Sequence, residues 1–219
     1  MATLADFLPD VQPHCDGVPI AVAERMILHA VREFCSKSGY WRDDQLFTTV
    51  TDESATGAYT LTLAAGTELV SVVTPILHGN KPVTLQNEEW LTEYYAEDWR
   101  TQTGETATFF TMSAKTIVRL VPYPTVAVAD DLRVTRILRP SLASPTVDDT
   151  VHADWCEQIG WGALARLKAM PERQWTDLTT ADAYLEMFKD ACNDGQSRAI
   201  AKWQDRRFQR KRTVAGHQF

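Results

Sequence analysis

The chain has few of the features that usually announce chemistry. Its 219 residues include four cysteines, Cys15, Cys35, Cys156 and Cys192, widely separated and without a CxxC pair. A structural metal site needs clustered ligands, and this spacing does not supply them. His152 and Cys156 fall four residues apart on one expected helix face, but no second pair accompanies them. Reduced thiols in a cytosolic host fit this usage best. No apolar run approaches the roughly 18 residues of a membrane span, because charges interrupt every greasy stretch. The opening Met1-Ala2-Thr3-Leu4-Ala5-Asp6 lacks the basic start and apolar core of a secretory signal. A phosphate-cradling GxxxxGK[ST] loop is absent, as are GxGxxG, HExxH, GxSxG and the kinase motif set. The five histidines, at 14, 29, 78, 152 and 217, are scattered. The acid pairs Asp43-Asp44, Glu88-Glu89, Asp130-Asp131 and Asp148-Asp149 read as helix caps and solvated turns, since adjacent side chains point in different directions. These absences lead to the expectation of a non-enzymatic, soluble protein with no cofactor, no metal and no membrane contact.

What is present is a core and a divided charge. Hydrophobic residues make up 44% and charged residues 23%, an ordinary globular balance that excludes wholesale disorder. The formal charge is −7, but it is unevenly spread. From Arg198 onward, Arg198, Lys202, Arg206, Arg207, Arg210, Lys211 and Arg212 face a single acid, Asp205, so the last 22 residues carry +6 and the rest −13. Five of these bases fall within seven residues, with Phe208 among them and Trp203 just before. Arginine suits bidentate pairing with carboxylate or phosphate. The plain reading is a solvated basic helix end favoured by the helix dipole, but the charges continue beyond the expected helix. A partner for the arm is therefore expected, either nucleic acid or an acidic protein surface. The acidic body disfavours wrapping a polyanion, so docking on an acidic protein groove is preferred.

Periodicity divides the chain into helical ends and a β-rich middle. Ile20, Ala23, Ile27, Val31 and Phe34 share one face of a helix over 20–38, stopped by Gly39. Two-residue alternation then predicts strands over 45–51, 58–63, 68–77, 82–85, 107–112, 116–120 and 132–138, with a hairpin turn at His78-Gly79-Asn80-Lys81. Asn87 is expected to cap a short helix lasting to about Trp99. After Pro145, Asp148 or Asp149 caps a helix running to about Met170, ended by Pro171. Gly160 and Gly162 would cost roughly 1 kcal/mol each in an isolated helix. They make sense where another helix comes close, either within the bundle or across a subunit boundary. A last helix begins at Thr179 or Thr180, carries Tyr184, Phe188, Ala191 and Gly195 on one face, and extends toward Phe208 with Gly195 as a possible break. The segment 213–219 is expected to lack structure of its own. The fold class that follows is α+β: a discontinuous helical bundle over 1–40 and 145–205, an inserted antiparallel β lobe with one short helix over 41–144, and a basic C-terminal arm over 206–219.

The order of elements and several segments resemble the tailed-bacteriophage head-to-tail adaptor (connector) protein family. The carriers are Ala30-Val31-Arg32-Glu33-Phe34-Cys35 followed by Tyr40-Trp41, then Leu69 to Leu77 with the His78-Gly79-Asn80-Lys81-Pro82 turn. Ile117-Val118-Arg119-Leu120-Val121-Pro122-Tyr123-Pro124 and Arg139-Pro140-Ser141 come next, then Ile159-Gly160-Trp161-Gly162-Ala163-Leu164-Ala165-Arg166-Leu167, Pro171 and Trp175. The resemblance covers Asp16 to about Trp203. It implies a virion protein of the head-tail neck, assembled in the host cytoplasm as a homo-oligomeric ring, typically of twelve copies, beneath the portal protein. A stopper or other tail protein would lie downstream. Genomic DNA would pass through the lumen, without sequence-specific binding, in packaging and ejection. The portal-docking arm would then comprise Trp203, Arg206, Arg207, Phe208, Arg210, Lys211, Arg212 and Phe219, with Gly160 and Gly162 at a helix-packing or subunit interface. Two other readings stay open: a nucleic-acid-binding module acting through the basic arm, and a generic β-sandwich binding protein for carbohydrate or another capsid component.

Overall fold

The computed structural model describes residues 1–49, 58–95, 99–126 and 128–214, with side chains as far as Lys202. In chain order the elements are β1 (Ala2–Thr3), 3-10 turns over Leu4–Asp10 and Gln12–His14, α1 (Ile20–Ser38), β2 (Arg42–Phe47), β3 (Ala58–Thr60), β4 (Thr67–Val72), β5 (Ile76–His78) and β6 (Lys81–Leu85). They continue with α2 (Glu88–Tyr95), β7 (Thr103–Gly104), β8 (Phe109–Ala114), β9 (Ile117–Val121), β10 (Tyr123–Pro124), β11 (Leu132–Pro140), β12 (Thr146–Val147), α3 (Asp149–Lys168) and α4 (Leu178–Val214). The class is α+β. The chain divides into a helical unit, Met1–Trp41 with Gly66–Glu68 and everything from Leu138 on, and a sheet unit, Arg42–Ala65 with Leu69–Ile137.

In the helical unit α1, α3 and α4 pack on one another. α1 buries Ala23, Ile27, Val31 and Phe34, the apolar face read from its spacing, whereas Ile20 at its first turn is exposed. Gly39 ends the helix in the left-handed region (φ 58°), its N–H reaching Cys35 O at 3.1 Å; a side chain there would be strained. Asp148 caps α3 by accepting from the N–H groups of Thr150 (2.9 Å) and Val151 (3.3 Å). That helix departs from helical dihedrals at Trp155. It ends at Lys168, two residues short of the expected Met170. β1 pairs antiparallel with β12, tying the N-terminus to the start of α3.

Two arginines explain why the short stretch 66–68 and the end of β11 belong with the helices. Glu68 Oε2 accepts from Arg32 Nη2 of α1 at 3.1 Å and from Arg139 Nη2 at 3.1 Å. Arg139 also donates to Ser36 Oγ at 3.2 Å, and Arg32 donates to Pro140 O. Hydrogen bonds from Arg32, then Arg139, hold the Glu68 carboxyl below its usual range.

The sheet unit holds an eight-stranded sheet, in the order β2-β11-β5-β6-β8-β9-β3 with β4 also pairing β11, and a separate short parallel pair, β7 with β10. The β5–β6 turn is a two-residue hairpin in which His78 faces Lys81, and both Gly79 (φ 56°) and Asn80 (φ 62°) take positive φ, as a primed turn requires. The sheet differs from the antiparallel lobe expected from sequence: β6 runs parallel to β8, Thr84 opposite Phe109. The intervening residues contain α2, and a connection of that length permits a parallel pair. Asn87 Oδ1 accepts from Trp90 N–H at 2.7 Å at the start of α2. Buried Leu91, Trp99 and Val121 form a small core there, with Trp90, Tyr95 and Phe109 against it. The strand expected from Gln45 instead begins at Arg42, because the charged residues 42–44 are paired along β11. Residues 50 and 51, the end of that expected strand, lie outside the described residues.

Candidate functional site

The longest single feature is α4, 37 residues, roughly 55 Å of helix at 1.5 Å per residue. Asp177 caps its start, accepting from Thr180 N–H at 3.1 Å, and hydrogen bonds from Thr180 keep that carboxyl below its usual range. The inward side buries Ala181, Phe188, Ala191, Cys192 and Ala199. Gly195, expected as a possible break, lies inside the continuous helix. A Cβ there would come 2.9 Å from Phe34 Cζ and 3.0 Å from Ser38 Cβ of α1. The missing side chain lets two helices approach, which outweighs glycine's poor helix propensity.

A row of charge winds along α4, beginning on its outward side. Asp182, Glu186, Asp190 and Asp194 are spaced four apart and exposed; Arg198 and Lys202 continue the row, also exposed, and positions 206 and 210 extend it with arginine. Residues four apart form one ridge of a helix. This ridge changes sign once, between Asp194 and Arg198, where the two side chains pair at 2.9 Å. Ala199 is the last buried side chain described on α4.

Beside the acidic half lies a shallow groove of about 370 Å³ between α3 and α4, lined by Trp155, Gln158 and Trp161 on one side and Met187, Asp190, Ala191 and Asp194 on the other. Met187 is 41% exposed, an uncovered apolar side chain next to acids. At the groove's end Arg198 lies over the Trp155 ring (4.8 Å) and Lys202 over Tyr40 (5.3 Å), so the first two bases of the row are already engaged.

The residues singled out from sequence fall in two places. Gly162 faces the last helix: a Cβ would meet Phe188 Cδ2 and Cε2 at 2.7 Å. Gly160 faces the 3-10 turn, with Asp10 Cβ at 3.2 Å. Trp203, Arg206, Arg207, Phe208, Arg210, Lys211 and Arg212 lie on the helical backbone of α4, and their side chains are outside the described residues. Phe219 is itself outside them. Thr213 and Val214, expected to lack structure, are helical. The acidic half of the charge row was missed from sequence; its signal is the four-residue spacing, which an unbroken helix turns into a continuous ridge. The α3–α4 groove had no local sequence signal.

Among the described residues no three His, Cys, Asp or Glu side chains are grouped to hold a metal ion. His152 packs edge-on to Phe7 at 4.8 Å, while the Cys156 thiol donates to Asp10 Oδ2 at 2.9 Å, so the i, i+4 pair has separate partners. Burial and the Asp10 carboxylate push the Cys156 thiol up to about 12, and burial pushes Cys192 up to about 11; neither is a nucleophile at neutral pH. At least one member of each acid pair is likewise engaged: Asp43 pairs with Arg136, Asp44 accepts from Thr135 Oγ1 (2.6 Å), Glu88 pairs with Arg100 (2.7 Å), Asp131 with His78 (3.1 Å) and Asp149 with the N-terminal amine (2.6 Å). No described helix is long and apolar enough to cross a membrane.

Residues 2–213 match the family model described as SU10 adaptor protein. The chain belongs to that family. The match agrees with the likeness to phage head-to-tail adaptors read from the sequence and extends it to nearly the whole chain. No curated protein matches the sequence.

Proposed function

We propose that the chain is a structural subunit of the phage neck, copies of which form a ring of twelve beneath the portal and join head to tail. The observation that carries this reading is the adaptor-family match over residues 2–213. In this reading the protein performs no catalysis and uses no cofactor. Its partners are the portal protein, a stopper or other tail component on the far side, and genomic DNA sliding through the lumen without sequence-specific contacts. The acidic body is compatible with that passage, since a negative wall repels phosphates within about 8 Å at physiological salt. The basic segment from Trp203 to Phe219 is the arm that engages the portal, with arginines for bidentate pairing and Phe208 and Phe219 as apolar anchors.

Electron microscopy of the protein mixed with portal-bearing heads tests the reading. A closed ring at the portal vertex is expected. Charge reversal at Arg210 and Arg212 is expected to weaken attachment far more than reversal at Arg25. A folded protein that never associates with heads, or whose attachment ignores the arm, overturns it.

A further inference from the structure

We infer that the α3–α4 groove is a self-association surface that receives the basic C-terminal half of α4 from a second copy. The inference rests on reading the C-terminal segment as a protein-docking arm, and it gives that arm a partner before any head is met.

Charge and shape select this occupant. The groove offers an apolar floor, Trp161 and Met187, beside the acidic ridge of Asp190 and Asp194. The C-terminal half of α4 has the complementary composition, Arg206, Arg207, Arg210, Lys211 and Arg212 around Phe208. A helix laid in an apolar groove is a recurring mode of recognition, and here the acidic rim would select a basic one. Asp194 is already paired with Arg198, but both side chains of that pair are more than half exposed, so water and salt make it a weak competitor.

Reach excludes the chain's own arm. Because α4 is continuous, residue 209 lies roughly 27 Å along the axis from Ala191, at 1.5 Å per residue. The basic half cannot turn back without breaking the helix, so the occupant comes from another molecule. Direction then constrains the assembly. The midpoint of the acidic row (182–194) and that of positions 206 and 210 are 20 residues apart, which at 3.6 residues per turn sets them roughly 30 Å apart along the axis and about 160° around it. Two faces on nearly opposite sides of one helix cannot both be satisfied by a single two-fold partner. Each copy instead gives its basic face to one neighbour and its acidic face to another, a heterologous contact that propagates and closes into a ring when the rotation permits.

The test uses full-length protein in native mass spectrometry and sedimentation, with circular dichroism to confirm that each variant is folded. Wild type is expected to form species larger than a dimer, weakened by salt. A groove variant, D190R/D194R, and an arm variant, R206E/R207E/R210E, are each expected to associate roughly tenfold more weakly or less well still, as reversed charge pairs do. Mixing the two variants is expected to restore association, because each reversed face then meets its complement. The inference is overturned if wild type is monomeric at every concentration, if D190R/D194R associates like wild type, or if the folded variants fail to rescue each other. It is also overturned if the arm of a monomeric wild type is instead captured by double-stranded DNA. Binding of D190R/D194R to portal-bearing heads reports separately on the portal reading, whose failure would leave the groove contact intact.

Discussion

The two units of the chain are held by different physics. In the helical unit the decisive contacts are close approaches allowed by absent side chains: Gly162 beneath the Phe188 ring and Gly195 beneath Phe34. Phe34 and Phe188 are fully buried, and Phe34 in turn meets Trp155 with ring centroids 5.0 Å apart. The sheet unit instead buries polar groups and pairs most of their atoms, leaving Arg119 Nε and Arg136 Nε without a hydrogen bond. Arg136, only 6% exposed, donates to Gln45 Oε1 (2.7 Å), Thr62 O and Asp43. His78, 2% exposed, stands between Ala107 N–H and Asp131. The helical unit should therefore fail by overfilling, and the sheet unit by a change of charge.

The largest effects are expected where Gly162 meets Phe188. Gly162→Leu drives a side chain into a ring that has no free space, and a loss of about 3 kcal/mol is expected in chemical denaturation. Phe188→Ala alone, which empties a fully buried aromatic site, should cost about 3–5 kcal/mol. Combined, the two changes should cost clearly less than their sum, since the cavity accepts the leucine. Simple additivity would break the idea that Gly162 exists for Phe188.

Next comes Arg136→Met, which keeps the aliphatic length and removes the donors. Gln45 Oε1 retains Thr62 N–H (3.1 Å) and Asp43 remains half exposed, so a loss of about 2 kcal/mol is expected rather than the larger cost of a stranded buried charge. Arg136→Lys should recover only part of it, because one ammonium cannot serve three acceptors in a plane. A neutral Arg136→Met in thermal and denaturant melts would place the sheet unit under the same rule as the helices.

These contrasts also explain what could be read from the sequence. Elements fixed by neighbours in the chain were legible: the Gly39 stop, the Asp148 cap, the His78–Lys81 hairpin and the buried stripe of α1. Elements fixed across the chain were not. Gly195 looked like a helix break because its reason, Phe34 and Ser38, lies about 160 residues away in sequence. The start of β2 was hidden because Arg42-Asp43-Asp44 reads as a polar turn until Arg136 and Thr135 are set opposite on β11. The parallel β6–β8 pair likewise carries no local signature. For the candidate site, the charge of the arm was plain in the composition, but the groove needs two helices brought side by side.

A smaller effect should follow pH. Ala107 N–H donates to His78 Nδ1 at 3.0 Å, so the neutral ring carries its proton on Nε2, facing Asp131 Oδ2 at 3.1 Å. A second proton would turn Nδ1 into a donor against a donor. Burial accordingly pulls the His78 pKa below its usual 6.5, with Asp131 opposing. The unfolded chain then binds this proton more readily, so the contribution is complete above pH 6.5 and is lost as pH falls toward the folded value. His29 in the helical unit is lowered as well, by burial and by Arg25, Arg166 and Arg32, and acts in the same window. His78→Gln should flatten the slope of stability against pH, and hydrogen exchange should localise the change to the sheet unit. An unchanged slope in His78→Gln, with a flattened one in His29→Gln, would assign the acid sensitivity to the helices.

The smallest effect is expected at Gly160, and its size tests whether every glycine of α3 obeys the rule set by Gly162. A Cβ at Gly160 would stand 3.2 Å from Asp10 Cβ, a contact that relaxes by a few tenths of an ångström, whereas at Gly162 it would stand 2.7 Å from two carbons of a fully buried ring. Alanine gains about 1 kcal/mol over glycine within a helix. At Gly160 that gain and the crowding should nearly cancel, leaving Gly160→Ala within about 0.5 kcal/mol of wild type. At Gly162 the crowding should win, by about 1 kcal/mol net. A second readout comes from Cys156, whose thiol donates to the same Asp10 side chain at 2.9 Å. If Asp10 yields to the new methyl group, that hydrogen bond loosens and the thiol, now pushed up to about 12, becomes easier to ionise and alkylates faster. Gly162→Ala should leave the rate unchanged, since Phe188 and not Asp10 takes the strain. A large destabilisation by Gly160→Ala with unaltered Cys156 reactivity would mean that the Asp10 turn is as unyielding as the aromatic core.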